Sequence, residues 1–147
     1  MKSENQVVLE FPSRSSNEAF ARVAAAGFAM QLDPTLEELG DIKTAVSEAV
    51  TNAIVHGYPE NFGRIVMKLR IREGNILEIV VKDWGVGIAD VEQARKPMFT
   101  TGNDERSGMG FTIMESFMDA VKVRSTPGKG TVVTLRRRVS RRMGAPV

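Results

Sequence analysis

The sequence predicts an α+β domain built as a two-layer α/β sandwich, with helices on one face of a mixed, largely antiparallel sheet. Two observations carry this. Apolar residues recur at helical spacing in the first third of the chain and then alternate from residue 64 onward, the period of a half-buried strand. The elements also come in an unusual order: one strand, two helices, a strand hairpin, a further helix, a second hairpin. A doubly wound fold would alternate strands and helices, so the order points to helices grouped on one side of hairpin-linked strands.

"NQVVLEF" (5–11) reads as the first strand. "SSNEAFARVAAAGFAMQL" follows as an alanine-favoured helix, with Ser15 and Glu18 in capping-box spacing. "DPT" (33–35) starts a second helix, Asp33 capping and Pro34 in the first turn, and the helix runs to about His56 before Gly57 and Pro59. In "RIVMKLRIRE" (64–73), Ile65, Met67, Leu69 and Ile71 alternate with mostly charged residues, which buries one face. "EGN" turns into "ILEIVVKD" (76–83), a more apolar and central strand. A short helix near 90–95, a polar glycine-bearing loop and a helix at 110–120 precede "VKVRST" and "GTVVTLRRR", two strands joined by the turn "PGKG".

Composition limits the function classes. A length of 147 residues suits one domain, placed at 1–140 with a basic, disordered tail at 141–147. Without cysteine there are no disulfides and no thiolate metal sites. The opening "MKSENQVVLEF" lacks an apolar run long enough for a signal peptide or a span, so the expectation is a cytoplasmic protein that does not enter a membrane. The net charge is +2, but "RRRVSRR" (136–142) supplies five arginines, and the remainder stands at −3. Nucleic-acid domains spread basic residues over a face, so an arginine-rich end reads as a solvated tail, with no direct nucleic-acid partner.

The most informative stretch is "SEAVTNAIVHGY" (47–58), where Glu48, Asn52 and His56 recur at intervals of four in an otherwise apolar helix. At about 100° per residue, Ile42, Ala45, Val46, Ala49, Val50 and Ala53 form one stripe. Glu48 and Asn52 fall on its shoulder and His56 closer to its middle. A half-buried carboxylate gains proton affinity and suits a general base. An amide oxygen one turn on can ligate a hard cation such as Mg²⁺. Taken alone, the row also fits a polar helix edge, with His56 favoured by the negative helix end.

Three glycine motifs follow. "DWGVG" sets Asp83 at a strand end before Gly85 and Gly87, a spacing that lets backbone approach a flat ligand, while a buried acceptor-only carboxylate can read an exocyclic amine such as that of adenine. "RSGMGF" (106–111) places Gly108 and Gly110 at a helix start, whose free N–H groups can hold phosphates. "GKG" (128–130) is most simply a hairpin turn. Each motif has a purely structural reading as well. No G-x-x-x-x-G-K-[ST] run is present, which excludes a P-loop.

In order and spacing, "EAVTNAIVHG", "DWGVG", "RSGMG" and "GKGTVV" resemble the N box and glycine boxes of the GHKL (Bergerat) ATP-binding fold of gyrase, MutL and the histidine kinases. "PMFTT" followed by "RSGMGFTIMESFMD" is similar to the small stand-alone serine kinases that act as anti-sigma factors, of the sporulation type. The resemblance implies ATP/ADP binding with Mg²⁺, Glu48 as general base and Asn52 as the Mg²⁺ ligand. It implies Asp83 on the adenine amine, Gly85 and Gly87 shaping the floor, and Thr131 supporting the adenine side. Thr100, Thr101 and the loop through Arg106 would form a lid, with Gly108 and Gly110 at the phosphate end. It further implies a homodimer that binds a sigma-F-like sigma factor and phosphorylates a serine of an anti-anti-sigma protein, with Arg22 a contact to either partner. Trp84, where a polar residue is expected, the short stretch from Thr101 to Gly108 and the arginine-rich tail depart from the pattern. Alternatives are a general-stress (sigma-B type) kinase and a nucleotide-gated sigma-binding module with little kinase activity. A histidine kinase is disfavoured, because the only histidine lies inside the N box.

Overall fold

The computed structural model describes residues 3–96 and 105–140, the side chains of 105–108 excepted. In chain order the elements are β1 (Ser3–Pro12), α1 (Ser16–Ala29), α2 (Leu36–Asn52), β2 (Arg64–Arg72), β3 (Ile76–Asp83), α3 (Val91–Ala94), α4 (Glu105–Phe117), β4 (Ala120–Thr126) and β5 (Gly130–Arg138). The strands form one sheet in the order β1-β2-β3-β5-β4. Every pairing among them is antiparallel, where the sequence had left room for a mixed sheet. β3 and β4 do run the same way, but the connection through α4 carries β4 to the outer edge and β5 returns between them.

The alternation in β2 is borne out: Ile65, Met67, Leu69 and Ile71 are buried, as are Leu77, Ile79 and Val81 of β3. They meet Ile42, Ala45, Val46, Ala49 and Val50 of α2 and Phe111 and Met114 of α4 in one core. Each fully buried aliphatic side chain contributes about 1.5–3 kcal/mol. The helices therefore lie on one face of the sheet.

Both helix starts differ from expectation. Ser15 has helical backbone angles, φ −59° and ψ −30°, and makes no side-chain cap bond. Capping needs an extended residue there, and Glu18 instead pairs with Arg22 at 3.2 Å. The capping box is formed at α2, two residues later than Asp33: Thr35 Oγ1 accepts the Glu38 amide at 3.1 Å and Glu38 accepts the Thr35 amide at 2.9 Å. Asp33 is left-handed, φ 51°, and ends a 3-10 turn, Met30–Leu32, that prolongs α1. α4 begins at Glu105, upstream of both Gly108 and Gly110 rather than at Gly110, because its apolar face packs against α2 while each glycine costs a helix only about 1 kcal/mol. The expected tail at 141–147 lies outside the described residues. The last described turn is tied down, with the Ser140 amide and hydroxyl both donating to Glu38 at 2.9 Å.

One carboxylate sits on the sheet face away from the helices. Glu78 is 2% exposed and is held by Arg70 at 3.2 Å, Arg72 at 3.0 Å and Arg136 at 2.6 Å. Burial works to raise its pKa, but the hydrogen bonds and charges of Arg136 and Arg72 outweigh it and hold the group below the usual carboxylate range. A depressed folded pKa stabilises the fold above the unfolded value, and that stabilisation is lost as pH falls through the folded one. Glu78→Gln should cost about 1.5–3 kcal/mol at pH 7 and flatten the acid limb of the stability profile. Urea unfolding across the acid range checks this, and an unchanged acid limb would count against the network.

Candidate functional site

The site begins where α2 stops being an α-helix. Residues Ala53–Gly57 form a π-helical turn directly after Asn52, a distortion that often marks functional positions. Glu48 and Asn52 are half-buried, on the expected shoulder. His56 departs from the expected row: the widened turn shifts its direction, and it is exposed rather than near the apolar stripe. Glu48 reaches α4, since a β-carbon added to Gly110 would lie 3.6 Å from Glu48 Oε2.

Asp83 ends β3, and strand alternation turns its carboxylate to the helix side, where it is 3% exposed. It lies against Gly57, the last residue of the π turn; a β-carbon on Gly57 would stand 2.9 Å from Asp83 Cγ. One carboxylate oxygen accepts the Gly85 amide at 2.9 Å. Gly85 has no space for a side chain, because a β-carbon there would overlap the Gly57 carbonyl. That carbonyl accepts the Val86 amide at 2.9 Å. Gly87 has φ 78° and faces the Thr126 carbonyl, again without room for a β-carbon. Residues 83–88 are thus clamped between the π turn and the β4–β5 hairpin, where the Gly128 amide donates to Val86 at 2.8 Å.

Burial raises the Asp83 pKa, while backbone amides of Gly85 and Thr131 pull it back. Thr131 faces Asp83 across the β3–β5 pair and is 4% exposed. Its hydroxyl lies 2.9 Å from Ser125 Oγ, which also accepts the Ile88 amide at 2.7 Å and donates to the Gly130 carbonyl at 2.9 Å. With the Ser125 proton committed, Thr131 is the donor and keeps lone pairs to offer. Tyr58 completes the frame: its hydroxyl accepts the Trp84 amide at 2.7 Å and donates to the Arg64 carbonyl at 2.6 Å. Burial pushes this phenol up against the Trp84 bond, and the Asp83 charge adds to the rise, so it remains a donor at neutral pH.

The structure therefore brings Glu48 to Gly110, and Asp83 to Gly85 and Thr131, with Asn52 on the helix between the two groups. Thr100 and Thr101 lie outside the described residues; Arg106 and Gly108 fall in the first turn of α4, their side-chain surroundings undescribed. Gly57, Tyr58 and Ser125 carry much of the frame and were not legible as site residues. Gly57 reads as a helix stop, and its contact with Asp83 spans 26 residues of sequence.

A helix-covered antiparallel sheet with a carboxylate at the end of a central strand, set in glycines, defines an ATPase fold of the histidine-kinase type. The description "Histidine kinase-like ATPase domain" matches residues 11–137. The chain belongs to that family. It is 59% identical over 131 residues to the anti-sigma F factor of Pasteuria penetrans, covering 88% of this chain and 87% of that one. To the anti-sigma F factor of Thermoanaerobacter sp. (strain X514) it is 56% identical over 136 residues, covering 92% and 94%. Among solved structures, the RsbU and RsbW domains of Rv1364c from Mycobacterium tuberculosis superpose with a TM-score of 0.69 at 19% identity, over 94% of this chain and 33% of that one. The histidine kinase domain of the Erythrobacter litoralis EL346 blue-light activated kinase gives a TM-score of 0.55 at 19% identity, over 83% and 60%. These likenesses support the fold that the glycine motifs implied.

The clamp is testable without nucleotide. Gly85→Ala, which forces a β-carbon onto the Gly57 carbonyl, should destabilise the protein by about 1–3 kcal/mol. Gly40→Ala, in α2 with nothing within 4 Å of the added carbon, should stabilise by about 0.5–1 kcal/mol. Thermal unfolding of both variants makes the comparison, and equal midpoints would remove the clamp.

Proposed function

We propose that this protein is a cytoplasmic anti-sigma factor and an ATP-dependent protein serine kinase. In this reading it binds a sigma-F-like sigma factor and phosphorylates a serine of its anti-anti-sigma partner. The relatives named anti-sigma F factor, at 56–59% identity over most of the chain, support sigma-factor binding. Among the described residues no helix is long and apolar enough to cross a membrane. The observation that carries the kinase reading is Glu48. A pure binder needs no base, yet a half-buried carboxylate lies beside Gly110 of α4, one turn before Asn52 on α2.

The residues divide the work by chemistry. Asp83, acceptor-only and buried, takes the adenine amine, with the Thr131 hydroxyl beside it. Gly85 and Gly87 keep the floor thin enough for the flat ring. α4, which carries Gly108 in its first turn and Gly110 in its second, lies toward the phosphates in this reading, and Thr100, Thr101 and Arg106 belong to the segment that covers them. Asn52 offers Mg²⁺ one amide oxygen. No cluster of three or more His, Cys, Asp or Glu stands ready for a metal among the described residues, so phosphates and water would complete the shell, as is usual for this ion. When bound, Mg²⁺ neutralises phosphate charge. Glu48 would then take the proton of the acceptor serine as its oxygen attacks the γ-phosphorus, and the bond from that phosphorus to the bridging oxygen breaks, so that ADP leaves.

Three variants separate these roles. Asp83→Asn should lower ATP affinity roughly 10- to 150-fold, from about 1.5–3 kcal/mol for a hydrogen bond to a charged group. A buried acid with a raised pKa costs stability when ionised, so the same variant should hold or gain thermal stability at pH 7. Glu48→Gln should leave ATP affinity nearly unchanged and slow transfer by about 10²–10⁴-fold. Asn52→Ala should weaken Mg²⁺-dependent binding and rate together. Calorimetry with ATP and single-turnover transfer to the acceptor read all three. Transfer at the parental rate by Glu48→Gln would leave a nucleotide-gated binder in place of a kinase.

The reading includes a homodimer through β1 and α1. Phe20, Val23 and Met30 are 62%, 65% and 50% exposed, spaced as one stripe along α1 and its continuation, with Gly27 open between them. β1 beside them is an edge strand, and Val7 is exposed on its helix side. Arg22 borders the stripe. Light scattering should give twice 16.1 kDa, and Val23→Lys should restore the single mass. A parental protein of single mass at micromolar concentration removes the dimer.

A further inference from the structure

The ladder between β2 and β3 ends at the pair Ile65 and Asp83. One further pair would set Arg64 opposite Trp84, and a direct rung between them would measure about 2.9–3.0 Å. The structure puts a side chain there instead. The Tyr58 hydroxyl accepts the Trp84 amide at 2.7 Å and donates to the Arg64 carbonyl at 2.6 Å. Both backbone groups therefore address one point, and a phenol stands in the place of a rung. It acts as a wedge that parts the two strands one residue beyond Asp83.

The wedge is fixed on both sides. Tyr58 follows Gly57, the residue that lies against the Asp83 carboxylate, and its ring packs on the core. A β-carbon on Gly63 would overlap that ring. Gly63 is pinned in turn, its amide donating to Ser13 Oγ at 2.9 Å and its carbonyl accepting the Ser13 amide at 2.8 Å. On the far side Arg64 and Lys82 lie over the Trp84 indole at 4.3 and 4.8 Å, so the residue after Asp83 is held through its side chain as well as its amide. Parting the strands here matters to the carboxylate. With the Trp84 amide held off β2, the chain turns back at once, and the Gly85 amide reaches Asp83 at 2.9 Å. Without the hydroxyl, the Trp84 amide and the Arg64 carbonyl lose their shared partner, and the register directs them to each other. That rung would close the strands by one pair, draw Gly85 toward β2 and take its amide off the carboxylate.

We propose that Tyr58 is a positioning residue of the nucleotide site. Its hydroxyl, acting through the backbone of Trp84 and Gly85, sets where the Asp83 carboxylate stands, and so how strongly the site prefers a base that carries an exocyclic amine. The proposal rests on the reading of Asp83 as the adenine contact and adds to it a residue that determines the specificity of that contact. Tyr58 does not touch the nucleotide in this scheme, and its influence is confined to the edge of the base. A phenol that only filled space would affect every nucleotide alike.

The experiment compares ATP with purine riboside triphosphate, which is ATP without the exocyclic amine. Calorimetry on the full-length protein with Mg²⁺ gives both affinities. The parent should bind ATP about 10- to 150-fold tighter than the analogue, the worth of one hydrogen bond to a charged group. Tyr58→Phe should lose about tenfold in ATP affinity while its affinity for the analogue stays within about twofold of the parent's. Gly63→Ala keeps the hydroxyl but displaces the ring that carries it. It should lose the preference in the same way, and it carries the comparison if Tyr58→Phe does not fold. A parental preference for ATP retained in these variants overturns the proposal, as does an equal loss of both nucleotides, the mark of a merely structural role. A parent that binds the two nucleotides alike, or an Asp83→Asn variant that keeps the parental preference, removes instead the adenine contact on which the proposal stands.

Discussion

The buried carboxylate of Asp83 is the constraint around which the rest is arranged. An ionised group with so little solvent needs donors, and the backbone amides of Gly85 and Thr131 supply them. Those donors reach it only if the chain after β3 turns back at once, and the turn is possible only because Gly57, Gly85 and Gly130 lack side chains at their contacts. The π turn after Asn52 is part of the same solution, since it delivers Gly57 to the carboxylate and presents its carbonyl to Val86. A group that burial raises in pKa and that only backbone donors hold keeps acceptor capacity in reserve. That reserve is the physical basis of the proposed adenine contact.

The two faces of the sheet solve different problems. The inner face is aliphatic and closed by α2 and α4. The outer face keeps its strands in water by carrying cations, and Glu78 shows the cost: three arginines converge on one buried acid, so that Arg70, Arg72 and Arg136 are braced while Lys68, Lys122 and Arg124 are left to solvent. The basic character of the chain thus lies across a sheet face and is not confined to its C-terminal end, as the arginine run had suggested.

Much of the fold could be read directly. Alternation in β2 and β3 names their buried residues correctly because a strand has a fixed period of two and no partner is needed to see it. The helical stripe of α2 is equally local. Caps were less legible. Ser15 and Glu18 have the right spacing, but Ser15 adopts helical angles, and the box forms at Thr35 and Glu38 because a 3-10 turn carries the chain past Leu32 and leaves Asp33 left-handed. Residue types allow both sites, and only packing chooses between them.

Sequence by itself determined the layering, the strand faces and the presence of four motifs in the order of an ATP-binding family, because periodicity and short spacing are properties of the chain alone. Tertiary structure decided what those motifs touch. It turned His56 outward through a π turn that no spacing rule announces, recruited Gly57, Tyr58 and Ser125 to frame Asp83, and set Gly110 against Glu48. It also decided that β5 lies between β3 and β4, which places Thr131 opposite Asp83 and Val132 beside Lys82. Contacts of this kind join residues dozens of positions apart, and their energies depend on which faces meet, a quantity that is fixed only when the whole core has closed.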